Sequence, residues 1–284
     1  MVAQPLDHLV INTRFETSAA ADVFGRLGFT LTPRGRHAMG SVNHLMVFGN
    51  DYLELIGLPE EEGAKLREEI LNAPAGIDGL VFKTDDANGV HTRLTARGLP
   101  LQPLHAFSRP VEIDGQSFEA AFRTVRFAPD TFSAGRLYYC QHLTPELIWR
   151  KGWQQHANKT RSLAGLLLVS DDPNTDAQRY AEIARGDVVA SADSSLRIKG
   201  AQYSIIVRSK QDYADRYGTL GCDALGRSSH FGALGLRISD PVALHDALDA
   251  LGDEVRYRKS DDRTLVALPR FNSLLEFVHG DAVF

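Results

Sequence analysis

Two residues stand out for the chemistry their types could do. His8 lies in Leu6-Asp7-His8-Leu9-Val10, and Glu54 lies in Tyr52-Leu53-Glu54-Leu55-Ile56. Imidazole and carboxylate are the donors that suit divalent iron, manganese, nickel or zinc. A carboxylate between two leucines on a half-buried strand is costly unless it is paired or ligating. The bland alternatives remain open on the pair alone: a histidine at a strand start can bond a loop, and an alternating glutamate can face solvent. A second group, Arg109, Arg123 and Arg126, lies among Phe107, Phe118, Phe122 and Phe127. Such a stretch could hold an anionic or aromatic substrate by bidentate hydrogen bonds and stacking, or form a solvated hairpin of alternating charge.

These residues must be positioned by elements, and the apolar pattern supplies them. Four segments, Leu6–Leu27, Ile77–Arg97, Leu163–Arg185 and Ala233–Leu251, each read as a short apolar strand, a polar turn and an amphipathic helix. Thr84-Asp85-Asp86 provides capping side chains for the second helix, and Ser-Asp-Asp-Pro and Ser-Asp-Pro stand at the same point in the third and fourth. Each helix is followed by β-like stretches. In the first unit these are Phe29–Leu31, Asn43–Phe48 and Tyr52–Ile56; in the fourth, Val255–Tyr257, Thr264–Leu268 and Ser273–Val278. The second unit carries a long excursion through Pro100–Pro129, and the third is irregular beyond Val189. The acidic run from Glu60 to Glu69 reads as a solvated helix. The fold class is therefore α+β: four βαβββ units, paired as residues 1–158 and 159–284.

Composition narrows the function classes. The chain has 284 residues and a formal net charge of -5, with 31 basic and 36 acidic side chains, so no cationic surplus marks a nucleic-acid binder. Two cysteines, Cys140 and Cys222, are too few for a disulfide framework or a thiolate zinc site. No apolar run approaches the roughly 18 residues of a membrane span, and no signal-peptide pattern opens the chain. The expectation is a cytoplasmic protein with a small-molecule substrate, no nucleic-acid or membrane partner, and a homodimer permitted. No Walker loop, dinucleotide fingerprint, Gly-x-Ser-x-Gly elbow or His-Glu-x-x-His pair is present.

Paired βαβββ units resemble the vicinal oxygen chelate superfamily, which includes glyoxalase I, extradiol dioxygenases and drug-sequestering resistance proteins. The glyoxalase-like branch is the nearest likeness. It rests on Asp7-His8-Leu9-Val10, on Gly35-Arg36-His37 with Gly40-Ser41-Val42-Asn43, on Tyr52 to Ile56, and on Gln141-His142-Leu143-Thr144-Pro145.

The resemblance implies two cup-shaped mixed sheets, with metal ligands on the first and last strands of each unit. His8 and Glu54 occupy two such positions. The matching positions of the second unit hold Gly79, which has no donor, and Tyr138. Strand alternation from Tyr138 carries Cys140 and His142 to the same face, so His142 is the expected third ligand beside His8 and Glu54. His37 is the expected catalytic base, and Asn43, Tyr138 and Arg123 are the expected substrate contacts. The second half offers Gly165 and only one repeated carboxylate, Glu276. The reading is a glyoxalase-like, metal-dependent lyase, isomerase or dioxygenase-related enzyme with a divalent Fe, Mn, Ni or Zn ion; the alternative is a metal-free cup that binds a small molecule, as resistance or carrier members do.

Overall fold

The computed structural model describes residues 3–191, 193–280, 282 and 284. Four βαβββ units follow one another. The first is β1 (Leu6–Arg14), α1 (Thr17–Arg26), β2 (Gly35–His37), β3 (Ser41–Val47) and β4 (Tyr52–Gly57). A short helix, α2 (Glu68–Asn72), leads to β5 (Gly76–Lys83), α3 (Ala87–Ala96), β6 (His105–Ile113), β7 (Gln116–Arg126) and β8 (Arg136–His142). The third unit is β9 (Thr160–Ser170), α4 (Pro173–Ala184), β10 (Val188–Ala190), β11 (Leu196–Lys199) and β12 (Ser204–Ser209). After α5 (Lys210–Tyr217) come β13 (Ser229–Ile238), α6 (Val242–Leu251), β14 (Arg256–Lys259), β15 (Arg263–Leu268) and β16 (Ser273–His279).

Each pair of units makes one eight-stranded mixed sheet, in the orders β2-β3-β4-β1-β5-β8-β7-β6 and β10-β11-β12-β9-β13-β16-β15-β14. Within each unit the first and last strands run parallel, as β1 with β4 and β5 with β8. The two units join through their first strands, which are antiparallel, β1 with β5 and β13 with β9. Local chemistry explains the starts of α3 and α4. Asp86 accepts a hydrogen bond from Gly89 N at 2.9 Å, Asp172 accepts one from Thr175 N at 3.1 Å, and Pro173 opens α4.

Strand alternation divides the first sheet into two faces. Leu9, Leu53, Leu55, Leu80, Phe82, Leu137 and Tyr139 point away from the cup. They share one continuous apolar core with Leu166, Leu168, Leu234, Leu275 and Phe277 of the second sheet. Each such leucine contributes about 1.5–3 kcal/mol on burial, so the two sheets stabilise each other through this layer. Val10, Tyr52, Ile56, Val81, Phe122 and Cys140 line the cup itself.

Two sequence expectations are corrected. Phe29–Leu31 is not a strand; Phe29 is buried against Phe24, Phe48 and Phe277, and the edge strand forms further on, at Gly35–His37. The acidic run is not a helix over its length. Gly63, at φ +75°, breaks it, and only Glu68–Asn72 is helical.

Candidate active site in the first cup

β1 and β4 lie side by side in parallel, with His8 opposite Tyr52 and Val10 opposite Glu54. His8 and Glu54 therefore face the same cup from neighbouring strands, and both are buried. His8 Nε2 lies 3.6 Å from Glu54 Oε2 and 3.0 Å from the Tyr138 hydroxyl. The His8 ring stacks on Tyr52 with centroids 4.3 Å apart. Asn43 Nδ2 donates to Glu54 Oε1 at 2.6 Å, which fixes the carboxylate from behind. Burial pushes the Glu54 carboxyl up, but the imidazoles of His8 and His37 and the Asn43 bond together hold it below its ordinary value. Burial pushes the Tyr138 phenol well above its ordinary value, so it stays protonated.

Asp7 is the residue that the sequence reading missed. Strict alternation would turn it away from His8. The pairing of β1 with β5 slips there: Leu6 faces Phe82 and His8 faces Val81, leaving Asp7 as an extra residue. This β-bulge brings adjacent side chains to one face. Asp7 is fully buried, and its Oδ2 accepts from His8 Nδ1 at 2.7 Å and His142 Nε2 at 3.0 Å. Burial would raise its carboxyl, yet the charges and hydrogen bonds of His142 and His8 hold it far below the usual carboxylate range.

His142 thus meets His8 through Asp7, on the Nδ1 side of the His8 ring, whereas Glu54 lies on the Nε2 side. One atom from each of Asp7, Cys140 and His142 falls within 4.8 Å of the others, a second group of possible ligands. Burial holds the Cys140 thiol well above its ordinary pKa. Lys83 Nζ stands 3.7 Å from Asp7 Oδ1 and 3.9 Å from the Trp149 ring centroid, at the mouth of a cleft that reaches His142.

The remaining expected residues divide by strand parity. His37 pairs with Ser41 across β2 and β3 and its Nδ1 lies 2.9 Å from Ser41 Oγ, on the cup side. Burial lowers its pKa to about 4, so the ring is neutral at neutral pH. Arg123 sits opposite Gln141, between Phe122 and Thr124, and the Gln141 side chain accepts from Ala87 N at the start of α3. Arg123 therefore lies on the face away from the cup, and the expected substrate contact is corrected on this point. Arg109, on the facing strand, is turned inward instead and is 7% exposed.

The second unit's missing ligand has a steric cause. A Cβ on Gly79 would lie 2.6 Å from Val10 Cγ2. In the second sheet, a Cβ on Gly165 or Gly235 would meet the Phe284 ring, and Glu276 is buried and accepts from the Tyr217 hydroxyl at 2.7 Å. Among the described residues that cup presents no set of donors comparable to the first.

A cup built from paired βαβββ units, with an imidazole and a carboxylate meeting at its floor, is the architecture of the vicinal oxygen chelate superfamily. The chain belongs to its glyoxalase-like domain family, whose model matches residues 6–184. Among solved structures it is similar to a hypothetical protein from Staphylococcus aureus, at 11% identity and a TM-score of 0.66, covering 97% of this chain and 99% of that one. It also resembles a mutant 4-hydroxymandelate synthase from Streptomyces coelicolor, at 13% identity, a TM-score of 0.54 and coverage of 100% and 94%. A fusion protein of a xylose isomerase-like TIM barrel and 4-hydroxyphenylpyruvate dioxygenase matches at 14% identity and a TM-score of 0.59; this chain is covered in full and spans 50% of that one. These likenesses show the fold. No curated protein matches the sequence. Among the described residues no helix is long and apolar enough to cross a membrane.

Proposed function

We propose that the chain is a glyoxalase-like enzyme that binds a small oxygen-bearing substrate in the first cup, where His8 and Glu54 hold a divalent metal ion. One observation carries this reading: His8 Nε2 and Glu54 Oε2 face each other at 3.6 Å, each backed by its own partner, Asp7 on Nδ1 and Asn43 on Oε1. Carboxylate–imidazole pairing of this kind is the usual support behind a metal-ligating histidine, because it fixes the tautomer and the ring orientation. The donor set therefore fits a metal at its core. Tyr138, with its hydroxyl 3.0 Å from His8 Nε2, is the third group at that point.

When bound, the ion would polarise a substrate carbonyl or hydroxyl oxygen. The chain's own residues supply the rest. Asn43 keeps Glu54 oriented, and the neutral Tyr138 hydroxyl donates a hydrogen bond to a substrate oxygen. His37, neutral and on the cup wall, accepts a proton from the substrate carbon or hydroxyl. Tyr52, Phe107 and Phe122 exclude water from the apolar part of the ligand.

A second reading, a metal-free cup that binds a small molecule, is favoured by Gly79, since Val10 closes the position where a further ligand would stand. Metal analysis separates the two. Untagged protein purified without chelator, or soaked in turn with Fe, Mn, Ni and Zn, is expected to carry close to one ion per chain, lost in His8→Ala. Protein that takes up none of these ions would establish the second reading.

A further inference from the structure

β2 and β6 are the two edges of the first sheet, and the sheet curls until these edges lie against each other. No ladder joins them among the described residues. Pro110, on β6, lacks an N–H, so that edge has no complete row of donors with which to close the seam. A cleft of about 180 Å³ follows this line, with Gly35 and Arg36 on one side and Arg109 and Glu112 on the other.

Arg109 is 7% exposed at the base of this cleft, with its side chain on the cup face beside Val111. Among the described residues its guanidinium has no hydrogen bond or ion pair. The other arginines of the cleft are satisfied: Arg36 pairs with Glu61, and Arg34 donates to Ser18. Glu54, the acidic group whose field reaches Arg109, is already engaged by Asn43 and His8. None of its nitrogens is sealed from solvent and its Cζ stands 5.9 Å from the Phe122 ring centroid, so the guanidinium faces the cleft with its donors free for an anion.

Gly35 keeps this position open. A side chain there would run into Asn43 and would meet Arg109 Nη1 at 3.0 Å. Beyond Arg109 the wall is apolar, with Phe107 stacked on Phe122 at 5.2 Å.

We infer that the seam between β2 and β6 is the entrance to the cup, and that Arg109 binds the carboxylate of an organic acid whose apolar or aromatic body lies along Phe107 and Phe122. The planar fork of the guanidinium suits a carboxylate bidentately. This inference rests on the first cup being the substrate site and names the substrate class for it.

Benzoate and its neutral isostere benzamide test it, with Trp153, at the cleft, as the fluorescent reporter. Wild-type protein is expected to bind benzoate saturably and at least tenfold more tightly than benzamide. Arg109→Gln is expected to erase that preference, and Arg123→Gln, on the other face, to leave it intact. Arg109→Met, melted without ligand, is expected to match or exceed the wild-type Tm, because an apolar side chain on Phe122 then replaces a mostly desolvated guanidinium that has no carboxylate partner. Absence of saturable benzoate binding, equal affinity for the two probes, an unchanged preference in Arg109→Gln, or a lowered Tm in Arg109→Met would each overturn the inference. Repeating the titration on His8→Ala separates it from the metal: the benzoate preference is expected to persist there. A protein that takes up no metal but keeps the Arg109-dependent preference would reject the metal and retain the acid site.

Discussion

Asp7 Oδ2 lies 2.7 Å from the Nδ1 of its chain neighbour His8, a contact that adjacent residues of a regular strand cannot make. The register slip between Leu6 and His8 produces it. The result is an imidazole whose Nδ1 is committed to a buried anion and whose Nε2 is aimed at Glu54 and Tyr138.

This arrangement predicts a graded effect on metal retention. Asp7→Asn keeps the shape but removes the anion behind His8, and is expected to weaken metal binding about 10- to 100-fold, as changes behind a ligating histidine commonly do. His8→Ala is expected to abolish it. Competition with a chromophoric chelator gives both values, and an Asp7→Asn variant as tight as wild type would dissociate the pair from the metal.

Gly79 predicts a steric coupling. Gly79→Ala places its Cβ 2.6 Å from Val10 Cγ2. Overpacking of this kind is expected to cost about 1–3 kcal/mol. Val10→Ala in the same chain should recover part of that cost, so the two changes are non-additive in urea unfolding. Strict additivity would place the strain elsewhere.

Asp51 predicts destabilisation at neutral and higher pH. Burial pushes its carboxyl up to about 7, while its Oδ1 accepts from Leu163 N at 3.0 Å. A raised carboxyl pKa disfavours the folded state as pH climbs from about 3.9, where the unfolded group ionises, to above 7. Asp51→Asn keeps the acceptor and removes the charge. Its gain over wild type is expected to be absent at pH 4 and to reach a few kcal/mol, roughly 2–4, by pH 8. Denaturant melts at the two pH values measure the difference.

His37 and His230 predict a loss of stability toward acid. Burial lowers both to about 4, and neither ring nitrogen of His230 has a partner among the described residues. The unfolded histidines gain protons near pH 6.5 and the folded ones do not, so stability falls as pH drops from 6.5 to 4. His230→Phe is expected to flatten this slope by at most about 3 kcal/mol across the window. An unaltered slope would assign the acid sensitivity to other groups.

The fold was largely legible because the apolar periodicity recurs four times, and Asp86 and Asp172 cap two of the four unit helices at the places their sequence context indicated, whereas α1 and α6 start without a side-chain cap. Strand parity also placed Glu54, Tyr138 and Cys140 on one face, as Leu53, Leu55 and Tyr139 fill the other. What could not be read were two departures from simple counting. The bulge at Asp7 is set by pairing with Val81 and Phe82 of β5, far along the chain, and no residue near Asp7 announces it. In the β6–β7 hairpin, three arginines compete for the inward positions, and a shift of one residue reverses their faces. The turn at Asp114-Gly115 fixes the register so that Arg109 points in and Arg123 out.

The apolar layer between the sheets gives the second half of the chain a mechanical part in the first half's chemistry. Leu9, Leu53 and Leu55 stand directly beside His8 and Glu54 in the sequence, and they rest in the same layer as Leu166 and Leu234. The family match ends at residue 184, the last residue of α4 in the third unit, yet the anvil beneath the first cup continues through β13 and β16. Loosening Leu234, in the other half of the chain, would move the strands that set the His8–Glu54 spacing. A distant core substitution would then register as a binding defect in a cup it never touches.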